Sequence, residues 1–577
     1  MKKLGYMALL LLVLTWGLGC EKEDSSLTRN GTPLPSDPTD TENNFNSDDT
    51  NRPTPLPTDG KDSDSTPLDI DTEAVPLTCA QAAENRSYIG CDFWPTVTYN
   101  MVWYNQAAQE GFEFAVVVAN DGIEDAHIQI TGGALGQPLN ETIPKGSLKA
   151  IVLPWVQTLK GTTFINANTS GHRVETSVLA QGGAYHMTSS IPVTAWQFSP
   201  LEYELSPMPA GCIDGATTPG RCYSVTNDAS MLIPTTAMTG NYRVFSYGGS
   251  FPDTFGDAPG AIAITATENN TLVHVQLTAD IAAGTGVTAA SAGETISYTL
   301  NAGDVLQLLG APGQWMGEPH SDLTGSVVMA VDANNPGTAD QPNFKPVQVI
   351  GLSPIVDLTP ATEESYADHI EELVLPAEVI GNNYVVTAPT GPSGNPVRHL
   401  VRFIGSVAGT QLTYAGTTPA GAPTALSPGQ VVDIETLESF QVSSQDEDHP
   451  FVVVSYIVGA EPSVSMAVAP EQFRKQYTFL APTTYESNYA DILVPQGANA
   501  TLDGAPLAGS ATPINGTEWS IHRIKLDNGP RGDGMHKLEA NQPVGLQVMG
   551  YGWATSYYYP GGLNLKLISK TIIITID

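Results

Sequence analysis

An all-β protein assembled from four related units is the fold class this sequence predicts, and three observations predict it. A proline followed by alternating apolar residues occurs four times: Ile191-Pro192-Val193-Thr194-Ala195-Trp196, Lys345-Pro346-Val347-Gln348-Val349-Ile350, His449-Pro450-Phe451-Val452-Val453-Val454 and Gln542-Pro543-Val544-Gly545-Leu546-Gln547. Proline has no N–H for a sheet ladder, so it sits at the first residue of a strand or on an edge, and the alternation suits a strand with one face buried. The prolines are 154, 104 and 93 residues apart, spacings that match small all-β domains rather than single propeller blades. Composition agrees. Charged residues are 15% of the 577, whereas Gly (55) and Pro (44) are abundant, which favours strands and turns over helical bundles.

These spacings predict tandem β-sandwich-like units packed together, with closure of the repeats into a propeller-like ring as the alternative. The predicted segments are 1–19, a targeting signal; 20–76, a disordered tether; and units over 77–200, 201–355, 356–470 and 471–577. The second unit includes an insertion, Leu201 to Asn227, that carries two cysteines.

Within the units the strands are legible. In the first, Phe114 to Val118, His127 to Ile130 and Leu148 to Leu153 are β-prone. In the second, Ala261 to Ala266 turns at Glu268-Asn269-Asn270-Thr271 and returns as Leu272 to Val275, because Asn tolerates left-handed hairpin positions. Ile296 to Leu300 and Val305 to Leu308 form another hairpin, echoed around Leu426 to Val432 in the third unit. Entry strands recur as Asn241-Tyr242-Arg243-Val244, Asn383-Tyr384-Val385-Val386 and Gln476-Tyr477-Thr478-Phe479. Asp368 to Leu373 is read as a single helical turn. The tail Thr571 to Thr575 is β-prone.

The net charge is −36, which excludes nucleic acid as a partner, since no basic stripe is present to neutralise phosphates. It equally excludes charge-driven docking on anionic lipid.

Lys2 and Lys3 precede an apolar run, Leu4 to Leu18, that is too short to span a bilayer. The run ends Gly17-Leu18-Gly19-Cys20 and resembles a bacterial lipoprotein signal, in which the cysteine is lipidated and becomes the mature N-terminus. That resemblance implies a lipid anchor at Cys20 and residence at the outer membrane or cell surface. Glu21 to Pro76 has fourteen acidic and four basic residues and hardly any large apolar ones, so it cannot bury enough surface to order itself. Asp62, Asp64, Asp69 and Asp71 lack the glycine and closing glutamate of an EF-hand.

The other four cysteines form two close pairs, and local bonds Cys79–Cys91 and Cys212–Cys222 are expected because each pair brackets a short loop. No HExxH, GxSxG, Walker loop or GxGxxG is present, so no enzyme and no cofactor is expected. The densest polar cluster is Glu363, Glu364, Asp368, His369, Glu371 and Glu372. If helical, it would put Asp368 and Glu372 on one face as a candidate calcium or ligand site. Trp553, Tyr557, Tyr558 and Tyr559 form an aromatic run that offers a stacking surface for sugars or packs across strands. Arg531-Gly532-Asp533 lies in a Gly-rich turn and is expected to be a hairpin tip.

Several strings taken together resemble the bacterial branch of the IgGFc-binding protein N-terminal domain family. They are Cys91-Asp92-Phe93-Trp94-Pro95, Asn227-Asp228-Ala229-Ser230, Ala237 to Tyr242, Asp368-His369-Ile370-Glu371-Glu372, Val548-Met549-Gly550-Tyr551 and Pro560-Gly561-Gly562-Leu563-Asn564-Leu565. The likeness covers about residues 77 to 568. It implies a surface lipoprotein that binds or adheres to an extracellular protein or glycan. The competing class is a carbohydrate-active or metal-dependent enzyme on a β scaffold, which a pocket with two carboxylates would favour.

Overall fold

The computed structural model describes residues 75–569 apart from 101–110, 162–175, 206, 208–221, 252–255, 313–320, 359–366 and 459. The chain is nearly all β, 5% helical and 50% strand, with its sheets arranged like a four-blade propeller. Each blade is itself a sandwich built on two four-stranded antiparallel sheets, the inner one gaining Ser177–Ala180 and Gly284–Thr285 in the second repeat and Thr512–Pro513 in the fourth, so the units are sandwiches closed into a ring rather than strung in a train.

The third repeat shows the plan. Its entry strand, Asn383–Val386, lies in an outer sheet, followed by His399–Gly405 in an inner one. Thr410–Ala415 and Ala425–Leu426 return to the outer sheet, Val431–Thr436 to the inner, and Phe440–Ser444 to the outer. Phe451–Ile457 and Val464–Met466 then complete the inner sheet. By position in the repeat, the outer sheet runs 1-6-3-4 and the inner 8-7-2-5, and all four repeats share these orders. One strand crosses between repeats: Ser177–Ala180, from the first, pairs beside Val305–Leu309 of the second.

The recurring proline marks where the chain passes from sixth strand to seventh, from outer sheet to inner. In the first and fourth repeats the two strands are continuous, Tyr185–Phe198 and Met535–Gly552, with Pro192 and Pro543 at the change of partners. A residue without an N–H leaves no donor stranded there.

These seventh strands are buried on both faces, not one. In Phe451–Ile457, Phe451 and Val453 join Tyr384, Val401, Phe403, Leu412, Ile434, Phe440 and Val442 in the core between the two sheets. Val452, Val454 and Tyr456 point the other way, into a core shared with the other repeats. Ring closure covers the second face, which no single unit could cover.

The closing strands meet around the axis. Ala229–Leu232, Ala367–Leu373, Val464–Met466 and Thr555–Pro560 each adjoin the next in that order, and the last adjoins the first. Repeats 1 and 2 therefore end at these first two strands, beyond positions 200 and 355, where sequence alone put the unit boundaries. Asp368 to Leu373 is a strand, not a helical turn. It pairs with Val347–Asp357.

The two ends of the described chain lock the ring. Tyr88 N donates to Leu563 O (3.2 Å) and Leu565 N to Arg86 O (2.6 Å), while within the last repeat Arg474 Nη1 donates to Asn564 Oδ1 (2.5 Å). The string Gly561 to Leu565 is thus the clasp between the last repeat and the first. At the seam of repeats 2 and 3, Gly325 (φ +88°) approaches Gly429 so closely that a Cβ would lie 2.6 Å from its carbonyl oxygen.

Candidate functional site

The described part of the polar cluster singled out in the sequence, Asp368 to Glu372, lies at the ring centre and is shut off from solvent. Asp368, His369 and Glu371 are 0% exposed and Glu372 2%. Strand geometry alternates successive side chains, so Asp368 and Glu372 share a face while His369 and Glu371 take the other. The helical face proposed for them is replaced by this split.

Each acid accepts from at least one blade other than its own. Asp368 accepts from His369 N (2.8 Å), Ser556 N (2.8 Å) and Thr555 Oγ1 (2.9 Å). Asp228, on the neighbouring closing segment, accepts from Ala229 N, Ser463 Oγ and Glu371 N, each at 2.9 Å. Glu371 accepts from Gln197 Nε2 (2.9 Å) and Thr98 Oγ1, with His369 Nε2 at 3.4 Å. Glu372 accepts from Leu373 N (2.7 Å) and Ser230 Oγ (3.3 Å) through one oxygen, and its other oxygen has no partner. Hydrogen bonds from all four repeats thus converge on four acids, with no lysine or arginine among the donors.

Burial therefore dominates the ionisation of three of them. Loss of hydration pushes Asp228, Asp368 and Glu372 well above the usual carboxylate range, and the mutual repulsion of the acids adds to it. Among the described residues no three His, Cys, Asp or Glu side chains stand together in a metal-binding arrangement. The cluster is a hydrogen-bonded hub, closed to substrate.

The aromatic run divides in the same way. Tyr557 and Tyr559 are 0% exposed and Tyr558 2%, so they pack across the core: Tyr559 near Trp196 and Tyr557 edge-on to Phe198 and Tyr485. Only Trp553 of the four reaches the surface, at 37%, tilted against Tyr223 with ring centroids 4.8 Å apart. The stacking surface proposed for all four is thereby reduced to one ring.

Cys79 and Cys91 are disulfide-bonded. Cys222 is also in a disulfide; Cys212, Glu363, Glu364 and Cys20 with the signal and tether lie outside the described residues. Arg531 to Asp533 occupies an exposed turn before Met535–Gly552, with Gly532 N bonded to Gly529 O.

Two seam devices escaped sequence reasoning. The first is a glutamine clamp between repeats 1 and 2, where the buried segment Trp94 to Asn100 pairs with side chains instead of a strand. Gln197 accepts from Thr96 N (3.0 Å) and donates to Thr96 O (3.1 Å), Gln348 donates to Trp94 O (2.8 Å), and Gln307 accepts from Tyr99 N (2.9 Å). The glutamines follow the strand alternation at inward positions, the one signal available beforehand. Beside the clamp, Trp94 stacks on His186 (4.2 Å, 9°), and Asp92 accepts from His186 Nε2 (2.8 Å). Burial works to raise the Asp92 pKa, but bonds from His186 and Thr235 outweigh it and hold it below the usual value.

The second device is Arg402, which joins repeats 2 and 3 through Asp322 and Asp433. Nothing local marks it, since both acids are distant in sequence.

Four of the six strings that carry the family resemblance therefore fall on the clamp, the central hub and the clasp, while Ala237 to Tyr242 leads into the second entry strand and Val548 to Tyr551 lies in the last seventh strand, both largely buried. A family model described as IgGFc binding protein matches residues 228–550, from the first closing strand into the last repeat. No curated protein matches the chain.

Proposed function

Because the chain belongs to the IgGFc binding protein family, whose match spans more than half of its 577 residues, we propose that it is a cell-surface lipoprotein that binds an extracellular protein. The family match is the observation that carries this reading. The burial of Asp228, Asp368, Glu371 and Glu372 supports a binding role over hydrolysis, which needs two carboxylates open to substrate. The Gly19-Cys20 signal supports a lipid anchor.

Two experiments test the proposal. Surface plasmon resonance of the mature protein against immunoglobulin Fc, other extracellular glycoproteins and free glycans should yield saturable binding to a protein. A panel without binders, or one in which only glycans bind, overturns it. A Cys20→Ala variant should leave the membrane fraction, and continued membrane partitioning refutes the anchor.

A further inference from the structure

The four repeats share one topology, so corresponding strands can be compared directly, and one of them breaks a rule the others keep. The fourth strand is the free edge of each outer sheet. An edge presents unpaired N–H and C=O groups to any extended chain, and proteins blunt such edges with charge, proline or brevity. In repeat 1 this strand, Leu139–Ile143, carries Glu141, paired with Lys149. In repeat 3 it is two residues, Ala425–Leu426, and in repeat 4 two residues ending in proline, Ala505–Pro506. In repeat 2 it is Thr295–Leu300, six residues with no charge and no proline.

The inner sheets are guarded throughout. Their outermost strands carry Lys149 in repeat 1 and Asp433 and Glu435 in repeat 3. In repeats 2 and 4 they are covered by Ser177–Ala180 and Thr512–Pro513. Among the described edges at the fourth and fifth positions of the repeats, Thr295–Leu300 is therefore the one of five or more residues left unguarded.

Its geometry is defined. The strand pairs on one side with Thr271–Gln276. Just before that ladder, Leu277 N donates to Glu294 O (2.9 Å). Antiparallel alternation then turns the backbone groups of Ile296, Tyr298 and Leu300 toward the neighbour and those of Thr295, Ser297 and Thr299 outward. Ser297 and Thr299 are exposed. Ile296 and Tyr298 pack on the core but are only partly buried, leaving room for an apolar residue of an added strand beside each.

We propose that Thr295–Leu300 is a docking edge that takes an extended, cationic segment of a partner protein as an added β-strand. The inference rests on the binding role proposed above and assigns its location. A glycan has no ladder of alternating donors and acceptors to match the edge, whereas a peptide backbone has. Charge selects the partner's sign. A chain of net charge −36, with exposed Glu294 at the head of the strand, attracts lysine- and arginine-bearing segments and repels a second copy of itself.

The test is fluorescence anisotropy of the full mature protein with a labelled peptide of alternating lysine and valine. Binding is expected, and Thr299→Pro, which removes an outward N–H, should weaken it at least tenfold. Equal affinity of the variant, or no binding to the native protein, overturns the proposal. Hydrogen exchange on the native protein gives a readout independent of the variant's folding: the amides of Thr295, Ser297 and Thr299 should gain protection when the peptide is added, and unchanged exchange refutes it. A native dimer that Thr299→Pro dissociates would assign the edge to a second copy and overturn the foreign partner. Undiminished binding of Thr299→Pro to a protein found in the panel would remove the edge proposal while leaving the binding role standing.

Discussion

Arg402 of the third repeat donates to Asp322 of the second at 2.7 Å, and to Asp433 of its own repeat with two nitrogens at 2.7 and 2.8 Å. The same guanidinium bonds Ser246 O and lies over the rings of Tyr247 and Tyr456 at 4.7 and 5.7 Å. Burial alone would lower its pKa, but the two carboxylates outweigh that and hold it well above the ordinary value. Blades 2 and 3 are thus pinned by one side chain that is fully hydrogen-bonded, the condition under which a buried charge is tolerated.

Arg402→Ala should cost about 3 kcal/mol, the lower part of the range for breaking a buried pair, because Asp322 and Asp433 are partly exposed and can rehydrate. Urea unfolding checks this. A loss below about 1 kcal/mol would show that the seam is held by its apolar contacts.

The central acids predict a pH dependence with a definite sign. Asp228, Asp368 and Glu372 hold protons in the folded state that the unfolded chain releases near pH 4. Their contribution is therefore greatest in acid and declines as pH rises from about 4 toward their raised folded values. Asp92 acts oppositely, contributing above the ordinary carboxylate range and losing that as pH falls through its lowered value. Glu372→Gln isolates one member. Its Tm relative to the native protein should be near zero difference at pH 4 and increasingly positive toward pH 8. A difference that does not grow with pH would count against a neutral Glu372.

The entry-strand tyrosines make a repeated corner. Tyr477 OH accepts from Arg474 N (2.8 Å) and donates to Val544 O, next to the switch proline. Tyr242 accepts from Thr239 N (3.3 Å) and donates to Val347 O (2.6 Å). Tyr477→Phe leaves a buried carbonyl and an N–H unpaired and should cost about 1–3 kcal/mol with the fold intact. Chemical denaturation measures it, and a neutral substitution would refute the corner.

Replacing Cys79 and Cys91 with serine opens a loop of sequence separation 12 and should cost roughly 3 kcal/mol on the loop-entropy account. Thermal unfolding of the native protein and the double variant, both without reductant so that the Cys222 disulfide stays intact, should show this loss, and equal midpoints would refute it.

Much of the architecture was legible beforehand because it is encoded by neighbours in sequence. The switch prolines, the Asn-containing hairpin at Glu268 to Thr271 and the recurring entry tyrosines each act through residues close by, so their spacing predicts β units and their number. The closing strands were not legible. Asp368-His369-Ile370-Glu371-Glu372 is polar enough to be read as a solvated turn, and what buries it comes from Gln197, Asp228 and Thr555, between 140 and 190 residues away. The tyrosine run misled for the same reason, since a lone hairpin would expose what the ring encloses.

By itself the sequence determined the all-β class, the fourfold repetition, the acidic surface and the family, because composition, periodicity and local turn chemistry survive without knowledge of contacts. Only the tertiary structure decided that the sandwiches close on themselves, that the central carboxylates are buried members of a hub, and that one outer edge stands open. Those outcomes depend on which surfaces lose water against distant partners, and burial of that kind has no signature within any single stretch of chain.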